Sequence, residues 1–172
     1  MTLFELPQFF GFDHFDSKLN LNATDLISQY GANGRTLFIE GTAKDINQNN
    51  RHAQPYYFAV KKALEIGMNV VFLDDRIKTI VEKKGLQAEV GIAYPFALIR
   101  ERNWFYQIKK WAKKDDIVLI HPLHLQRMIL EHPEINARTK FISSRPKMPR
   151  KKELKTELTQ IKNFLREKRR RL

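Results

Sequence analysis

The segment TLFIE, at residues 36–40, is a short apolar run that ends in a carboxylate and is followed by a glycine. Three comparable runs occur elsewhere in the chain: LPQFFGF at residues 6–12, NVVFL at 69–73 and IVLI at 117–120. Continuous apolar runs of this length are typical of strands that are buried on both faces of a sheet. The four segments therefore predict four buried strands.

Stretches with helical character separate these runs, at residues 22–30, 54–66, 95–112 and 123–131. Gly31 and Gly67 follow the first two stretches, and glycine commonly ends a helix. The third stretch carries Trp104, Ile108 and Trp111 at helical spacing, which predicts that both tryptophans belong to the core. Strands that alternate with helices predict an α/β fold with a mainly parallel sheet flanked by helices.

The net charge of +12 is concentrated at the C-terminal end of the sequence. Residues 145–172 hold 12 of the 31 basic residues and three of the 19 acidic ones, so the first 144 residues are nearly balanced. We therefore expect an α/β domain at residues 1–142, a linker at 143–150 and a basic amphipathic helix at 151–172. An apolar stripe supports this helix, with the residues Leu154, Leu158, Ile161 and Leu165.

The predicted C-terminal helix carries many of these basic residues, and they suggest an anionic partner. Clustered cations bind phosphates through counterion release, so nucleic acid or an anionic surface is the expected contact. The alternative is a solvated helix that only aids solubility. The candidate contact residues are Lys151, Lys152, Lys155, Arg169, Arg170 and Arg171.

The composition excludes several classes of protein. A hydrophobic content of 42% is too high for a disordered chain, and the absence of cysteine excludes disulfide scaffolds and cysteine-ligated metal sites. No apolar run approaches the ~20 residues that span a bilayer, and the N-terminus lacks the features of a signal peptide, so we expect a cytoplasmic protein. Phosphate-binding loops, dinucleotide fingerprints and the serine elbow of lipases are absent from the sequence.

Polar residues follow each predicted strand. Asp13 and His14 follow the first strand, Glu40 ends the second, Asp74 follows the third, and HPLH at residues 121–124 follows the fourth. Right-handed crossovers place all these turns at one edge of a parallel sheet, where ligands of open α/β sheets bind. The sequence therefore predicts a functional site at this edge.

Histidine and carboxylate side chains are the ligands of hydrolytic zinc, manganese or cobalt sites. His14, Glu40 and His124 together provide two imidazoles and one carboxylate, which leaves coordination positions for water. Each histidine at a strand end is, by itself, more commonly a hydrogen-bonded loop residue. His121 and Asp74 are further candidates for the same site.

Four segments occur in a fixed order: Gly11-Phe12-Asp13-His14, Phe38-Ile39-Glu40-Gly41, Arg100-Glu101-Arg102-Asn103 and His121-Pro122-Leu123-His124. This order resembles the TraB/Tiki proteins and the related haem-uptake ChaN and erythromycin-esterase folds. That pattern is a G-x-x-H motif, a glutamate at the end of the second strand, an arginine-rich helix start and a second G-x-x-H motif. The similarity covers residues 6–132 of a chain that is short for the family. His121 replaces the second glycine, so only His124 carries over from that motif.

The resemblance implies metal-assisted hydrolysis, and we expect a metal-dependent hydrolase that acts on a peptide or another acyl bond. Glu40 then serves as a metal ligand or as a general base. Arg100 and Arg102 are expected to border the site, where a guanidinium orients Glu40, binds a substrate carboxylate or stabilises an oxyanion. The alternative function is a non-catalytic binding protein of the same fold that holds nucleic acid or an acidic partner through its basic tail.

Overall fold

The computed structural model describes residues 5–13, 20–47, 49–50, 53–75 and 97–142. Within these residues lies one five-stranded sheet, and every pair of neighbouring strands in it is parallel. The order across the sheet is β3-β2-β4-β1-β5, which places β4 at the centre. The strands are β1 (Gln8–Gly11), β2 (Thr36–Ile39), β3 (Asn69–Phe72), β4 (Ile117–Ile120) and β5 (Thr139–Phe141). The structure thus confirms the predicted α/β fold with a parallel sheet.

Four α-helices and one 3-10 helix lie in the described part of the chain. Helix α2 has Pro55 in its first turn, where a missing N–H costs little, and Gly67 follows its C-terminal end with a φ of +81°. Helix α4 starts with a proline and is followed at once by the 3-10 helix. The helices are α1 (Asn20–Tyr30), α2 (Gln54–Glu65), α3 (Ala97–Trp111) and α4 (Pro122–Glu131), with the 3-10 helix at Pro133–Arg138.

The helices cover the two faces of the sheet in pairs. Helices α1 and α2 pack on one face against strand residues such as Leu37, Ile39 and Leu119. Helices α3 and α4 pack on the other face against residues such as Phe38 and Val118. Because successive side chains of a strand point to opposite faces, a continuous apolar run fills both layers.

The fold differs from the expectation in four details. Strand β3 was expected to be buried on both faces, but it lies at the edge of the sheet and its residues are exposed or half-buried. The first strand starts at Gln8 rather than at residue 6, because Pro7 has no N–H to donate to a ladder. Strand β5 was not predicted, since its three residues form no apolar run. Trp104 is fully buried as expected, but the prediction for Trp111 was wrong: it is 45% exposed, because it is the last residue of α3.

The predicted linker at residues 143–150 and the predicted basic helix at 151–172 lie outside the described residues. They stay predictions, as does the role of the six tail residues named above. Among the described residues, no helix is long and apolar enough to cross a membrane.

Candidate active site

The strand order creates a crevice at the carboxyl ends of β2, β4 and β1. Strands β1 and β2 lead into helices on one face of the sheet, whereas β4 leads into α4 on the other face. The segments that leave β4 and its two neighbours therefore diverge, and such a switch point is where open α/β sheets bind ligands. Asp13, Glu40 and His121 lie just beyond the ends of these three strands.

Glu40 lies at the centre of this crevice. Its backbone N–H donates to the carbonyl of Leu119 at 3.1 Å, which extends the pairing of β2 with β4 by one residue. Its Oε2 accepts the backbone N–H of His121 at 2.8 Å. Its Oε1 lies 3.5 Å from Nε2 of His124 and 3.6 Å from Nη2 of Arg100. The buried carboxylate therefore accepts a hydrogen bond from one backbone N–H. It also faces the cationic guanidinium of Arg100 and the imidazole of His124, which becomes positive on protonation.

Asp74, just beyond β3, holds Arg100 in place. Its two oxygens accept Nε of Arg100 at 3.2 Å and Nη2 at 2.6 Å. The same carboxylate accepts the indole N–H of Trp104 at 2.8 Å and the backbone N–H of Gly41 at 3.1 Å. The guanidinium also lies 4.7 Å from the centre of the Trp104 ring. Burial acts to lower the pKa of Arg100, but the charge and hydrogen bonds of Asp74 outweigh it and raise that pKa, so Arg100 is a permanent cation.

His124, in the first turn of α4, is held by two helices. Its Nδ1 lies 2.7 Å from Oε1 of Glu101, and Nε of Arg127 lies 3.2 Å from the same oxygen. Because an ionised carboxylate only accepts, Nδ1 of His124 carries the proton of this contact, and Nε2 faces Glu40. Burial acts to lower the pKa of His124, but Glu40 and the hydrogen bond to Glu101 raise it overall. Burial raises the pKa of Glu101 as well, and its contact with His124 only partly opposes this.

His121 precedes α4 and borders the same crevice. Its Nδ1 accepts the backbone N–H of Leu123 at 3.3 Å, which caps the helix, and its Nε2 lies 3.5 Å from Oδ1 of Asp13. Burial lowers the pKa of His121, although Glu40 and Asp13 act in the opposite direction. The φ of His121 is −56°, which any residue adopts, so the backbone here has no need of a glycine.

The structure therefore brings together five of the residues that the sequence singled out. They are Glu40, Asp74, Arg100, His121 and His124. Arg102 lies apart from them: it is exposed and pairs with Glu131 of α4 at 2.8 Å. Each residue of a helix turns by about 100°, so side chains two positions apart point about 200° apart. Arg100 and Arg102 therefore lie on opposite sides of α3. His14 lies outside the described residues.

Sequence reasoning missed three residues of this cluster. Glu101 orients His124, and Trp104 donates to Asp74 although it was expected only to fill the core. Tyr56 is buried under the crevice and donates its hydroxyl to the carbonyl of Phe12 at 3.4 Å. Burial, with Glu40, Asp13 and Asp74 nearby, raises the pKa of Tyr56 well above its ordinary value and keeps the phenol neutral. One signal was available: a buried tryptophan usually finds an acceptor for its N–H.

Comparison with known proteins adds no relative. No family model, no curated protein and no solved structure matches the chain. The resemblance to the TraB/Tiki proteins therefore stays a prediction that rests on the four segments quoted above.

Proposed function

We propose that this chain is a hydrolase of TraB/Tiki-like type that cleaves a peptide or another acyl bond with the help of a divalent metal ion. The observation that carries the proposal is the convergence of Glu40 on His124: Oε1 lies 3.5 Å from Nε2. Glu40 directly follows β2 and His124 lies in the first turn of α4, and the two side chains meet at the switch point of the sheet, where open α/β folds bind ligands.

His124, whose Nε2 faces Glu40, is the proposed ligand of the divalent cation. His124 offers Nε2 because its Nδ1 is held by Glu101, and metal-bound histidines commonly have a carboxylate on their other nitrogen. Within the described ranges, no three histidine, aspartate or glutamate side chains are arranged to hold a metal ion. His14, outside those ranges, is our candidate for a further ligand beside His124. When bound, zinc, manganese or cobalt supplies Lewis-acid polarisation of the acyl carbonyl.

Glu40 is the proposed proton acceptor. Its Oε2 is held by the N–H of His121, while Oε1 faces the space between Arg100 and His124. Glu40 is buried away from bulk solvent. A water that enters the crevice is therefore oriented by Oε1 and the side chains beside it rather than by other waters. Oε1 takes the proton of that water as the water oxygen bonds to the carbonyl carbon, and it gives this proton to the leaving nitrogen or oxygen as the acyl bond breaks.

Arg100 is the proposed electrostatic partner of the developing oxyanion. Asp74 and Trp104 fix its guanidinium, so little reorganisation is needed when negative charge forms nearby. Its side chain is 26% exposed, which leaves part of the guanidinium accessible to a substrate. Asp74 itself is a positioning residue, because both of its oxygens already accept hydrogen bonds.

The test is the metal content of the purified full-length protein, measured by elemental analysis, together with hydrolysis of a panel of peptides and activated esters. We expect about one metal ion per chain, and loss of metal and hydrolysis in His124→Ala. Glu40→Gln is expected to lose at least about 100-fold in rate, as removal of a general base does. Arg102→Ala is the matched control on α3, since Arg102 lies apart from the cluster.

A metal-free protein that hydrolyses no substrate of the panel contradicts the proposal. Equal activity of wild type and Glu40→Gln contradicts the role of Glu40. The alternative, a non-catalytic protein that binds an acidic partner through its tail, rests on residues outside the described part. It predicts that a chain ending at residue 144 loses binding.

A further inference from the structure

His121 is the single residue that connects strand β4 to helix α4, since β4 ends at Ile120 and α4 begins at Pro122. It precedes a proline and has the extended backbone, with φ −56° and ψ 138°, that a following proline favours. The chemistry proposed for Glu40 uses only the backbone N–H of His121. In the G-x-x-H pattern a glycine stands at this place, so the imidazole is a feature of this chain without an assigned role.

The backbone N–H of His121 lies where the ladder between β2 and β4 continues beyond the strands. In that ladder Ile39 is opposite Leu119, and the N–H of Glu40 donates to the carbonyl of Leu119 at 3.1 Å. The next donor from the β4 side is the N–H of His121, which donates to Oε2 of Glu40 at 2.8 Å. The carboxylate of Glu40 thus serves as the acceptor at the end of the ladder, and its orientation depends on where this N–H points.

The imidazole of His121 is held at two points. Its Nδ1 accepts the N–H of Leu123 at 3.3 Å, which satisfies one of the free donors in the first turn of α4. Because Nδ1 accepts, the neutral ring carries its proton on Nε2, which lies 3.5 Å from Oδ1 of Asp13. Only 14% of the His121 side chain is exposed. The ring is therefore fixed between the start of α4 and the end of β1.

His121 reaches the ends of both strands that flank β4, because β4 lies between β2 and β1. Its backbone N–H holds Glu40 on the β2 side, and its imidazole faces Asp13 on the β1 side. We infer that the imidazole of His121, held between Asp13 and α4, fixes the backbone N–H that orients Glu40. His121 is thus a positioning residue for Glu40, and Asp13 acts on Glu40 through it.

The cap of α4 and the bridge to Asp13 use different nitrogens of the ring, so substitutions separate them. Asparagine is among the best N-cap residues, and its side-chain oxygen accepts a backbone N–H of the first turn as Nδ1 does. Its side chain is shorter than an imidazole and does not span the distance to Asp13. His121→Asn therefore keeps the cap and removes the bridge, whereas His121→Gly removes both.

The direct test is the NMR signal of the backbone amide proton of residue 121, measured in isotope-labelled full-length protein with a chelator present. An amide proton that donates to a carboxylate resonates downfield, so Glu40→Gln is expected to move this signal upfield. Asp13→Ala is expected to move it in the same direction and at least half as far. Asp13→Asn keeps an oxygen acceptor for Nε2 and is expected to restore most of the wild-type shift.

Turnover is the second readout, and it rests on the proposed function of Glu40 as the proton acceptor. His121→Asn and Asp13→Ala are each expected to lower kcat about 10- to 100-fold, with KM within about twofold of wild type, because a misplaced base costs rate rather than binding. The double variant is expected to be no slower than either single variant, since both remove the same bridge.

The matched control is His132→Ala at the other end of α4. His132 follows the last residue of the helix and stacks on Phe105, with 3.6 Å between ring centres. Its removal also takes a histidine contact from α4 but leaves Glu40 untouched, so kcat and the residue-121 signal are expected to stay at their wild-type values.

An unchanged residue-121 signal in Asp13→Ala overturns the inference, whether or not the protein hydrolyses a substrate. Wild-type kcat in His121→Asn, with a loss in His121→Gly, overturns it as well, because the cap alone then suffices. Additive losses in the double variant overturn the bridge. If the signal moves as expected and the wild-type protein hydrolyses nothing, the positioning of Glu40 is supported and the proposed function alone fails.

Discussion

Oε1 of Glu101 lies 2.7 Å from Nδ1 of His124 and 3.2 Å from Nε of Arg127, and all three side chains are largely buried. This contact joins α3 to α4 beneath the crevice and aims the other nitrogen of His124 at Glu40. Glu101 is thus the link between the packing of the two helices and the geometry of the candidate site.

Removal of the Glu101 carboxylate is expected to destabilise the fold. Glu101→Ala removes the carboxylate that lies 3.2 Å from Nε of the buried Arg127, and the loss of one member of a buried ion pair costs about 3–5 kcal/mol. Urea unfolding of the two proteins measures the difference. Glu131→Ala is the control, because Glu131 pairs with an exposed arginine and its loss is expected to cost less than about 1 kcal/mol. Equal effects of the two substitutions would contradict this prediction.

The contribution of His124 to stability is expected to fall as pH rises. Its pKa is raised in the folded protein, so the folded state holds the proton more tightly than the unfolded state. This stabilisation is fully present below the ordinary histidine pKa of about 6.5, and it is lost as pH rises through the higher pKa of the folded state.

The measurement is the difference in unfolding free energy between wild type and His124→Gln, with a chelator present, at several pH values from 5.5 to about 9. The difference is expected to be largest at the acid end. His121 has the opposite sign, since its pKa is lowered, and His124 contributes to that lowering. The same comparison in a His121→Gln background therefore separates the two histidines. A difference that grows with pH would refute the assignment.

Asp74 is expected to be needed for the position of Arg100. Asp74→Asn replaces one acceptor oxygen by an N–H₂ group that faces donors, and it removes the charge that holds the guanidinium. The expected cost is about 2 kcal/mol in unfolding free energy, and Trp104 emission is expected to shift because its N–H loses its acceptor. Asp75→Asn is the matched control, because Asp75 is exposed and its change is expected to stay within about 0.5 kcal/mol. Unchanged unfolding free energy and unchanged Trp104 emission in Asp74→Asn would contradict this role.

The sequence predicts the sheet because β1, β2 and β4 are largely buried apolar runs and β3, although it lies at the edge, carries the same apolar signature. Strand β5 lacks that signature: Thr139–Phe141 lies at the edge of the sheet, and its pairing with β1 holds it there. Trp111 follows the helical period of the core residues, but it is the last residue of α3 and is exposed. Periodicity does not show which turn of a helix extends beyond the residues that pack against it.

Part of the candidate site was also predictable, because the strand pattern shows which polar residues lie at strand ends. Glu40, Asp74 and His121 follow strand ends, and parallel strands end at one edge. The choice between Arg100 and Arg102 was not predictable, because it depends on Glu131, which reaches Arg102 from another helix. The partnership of Glu101 with His124 joins residues 23 positions apart, and no local pattern indicates it.

Gly11, the first residue of the first G-x-x-H segment, is expected to be required for packing rather than for backbone conformation. An added Cβ would lie 2.6 Å from Cδ1 of Phe141 and 3.3 Å from a methyl group of Leu125. Gly11→Ala must therefore displace the ring of Phe141, and we expect a loss of about 1–3 kcal/mol in unfolding free energy. A double-mutant cycle with Phe141→Ala is the check: once the ring is gone, the added methyl group has space, so Gly11→Ala should cost much less in that background. The same cost in both backgrounds would show that the ring does not explain the glycine.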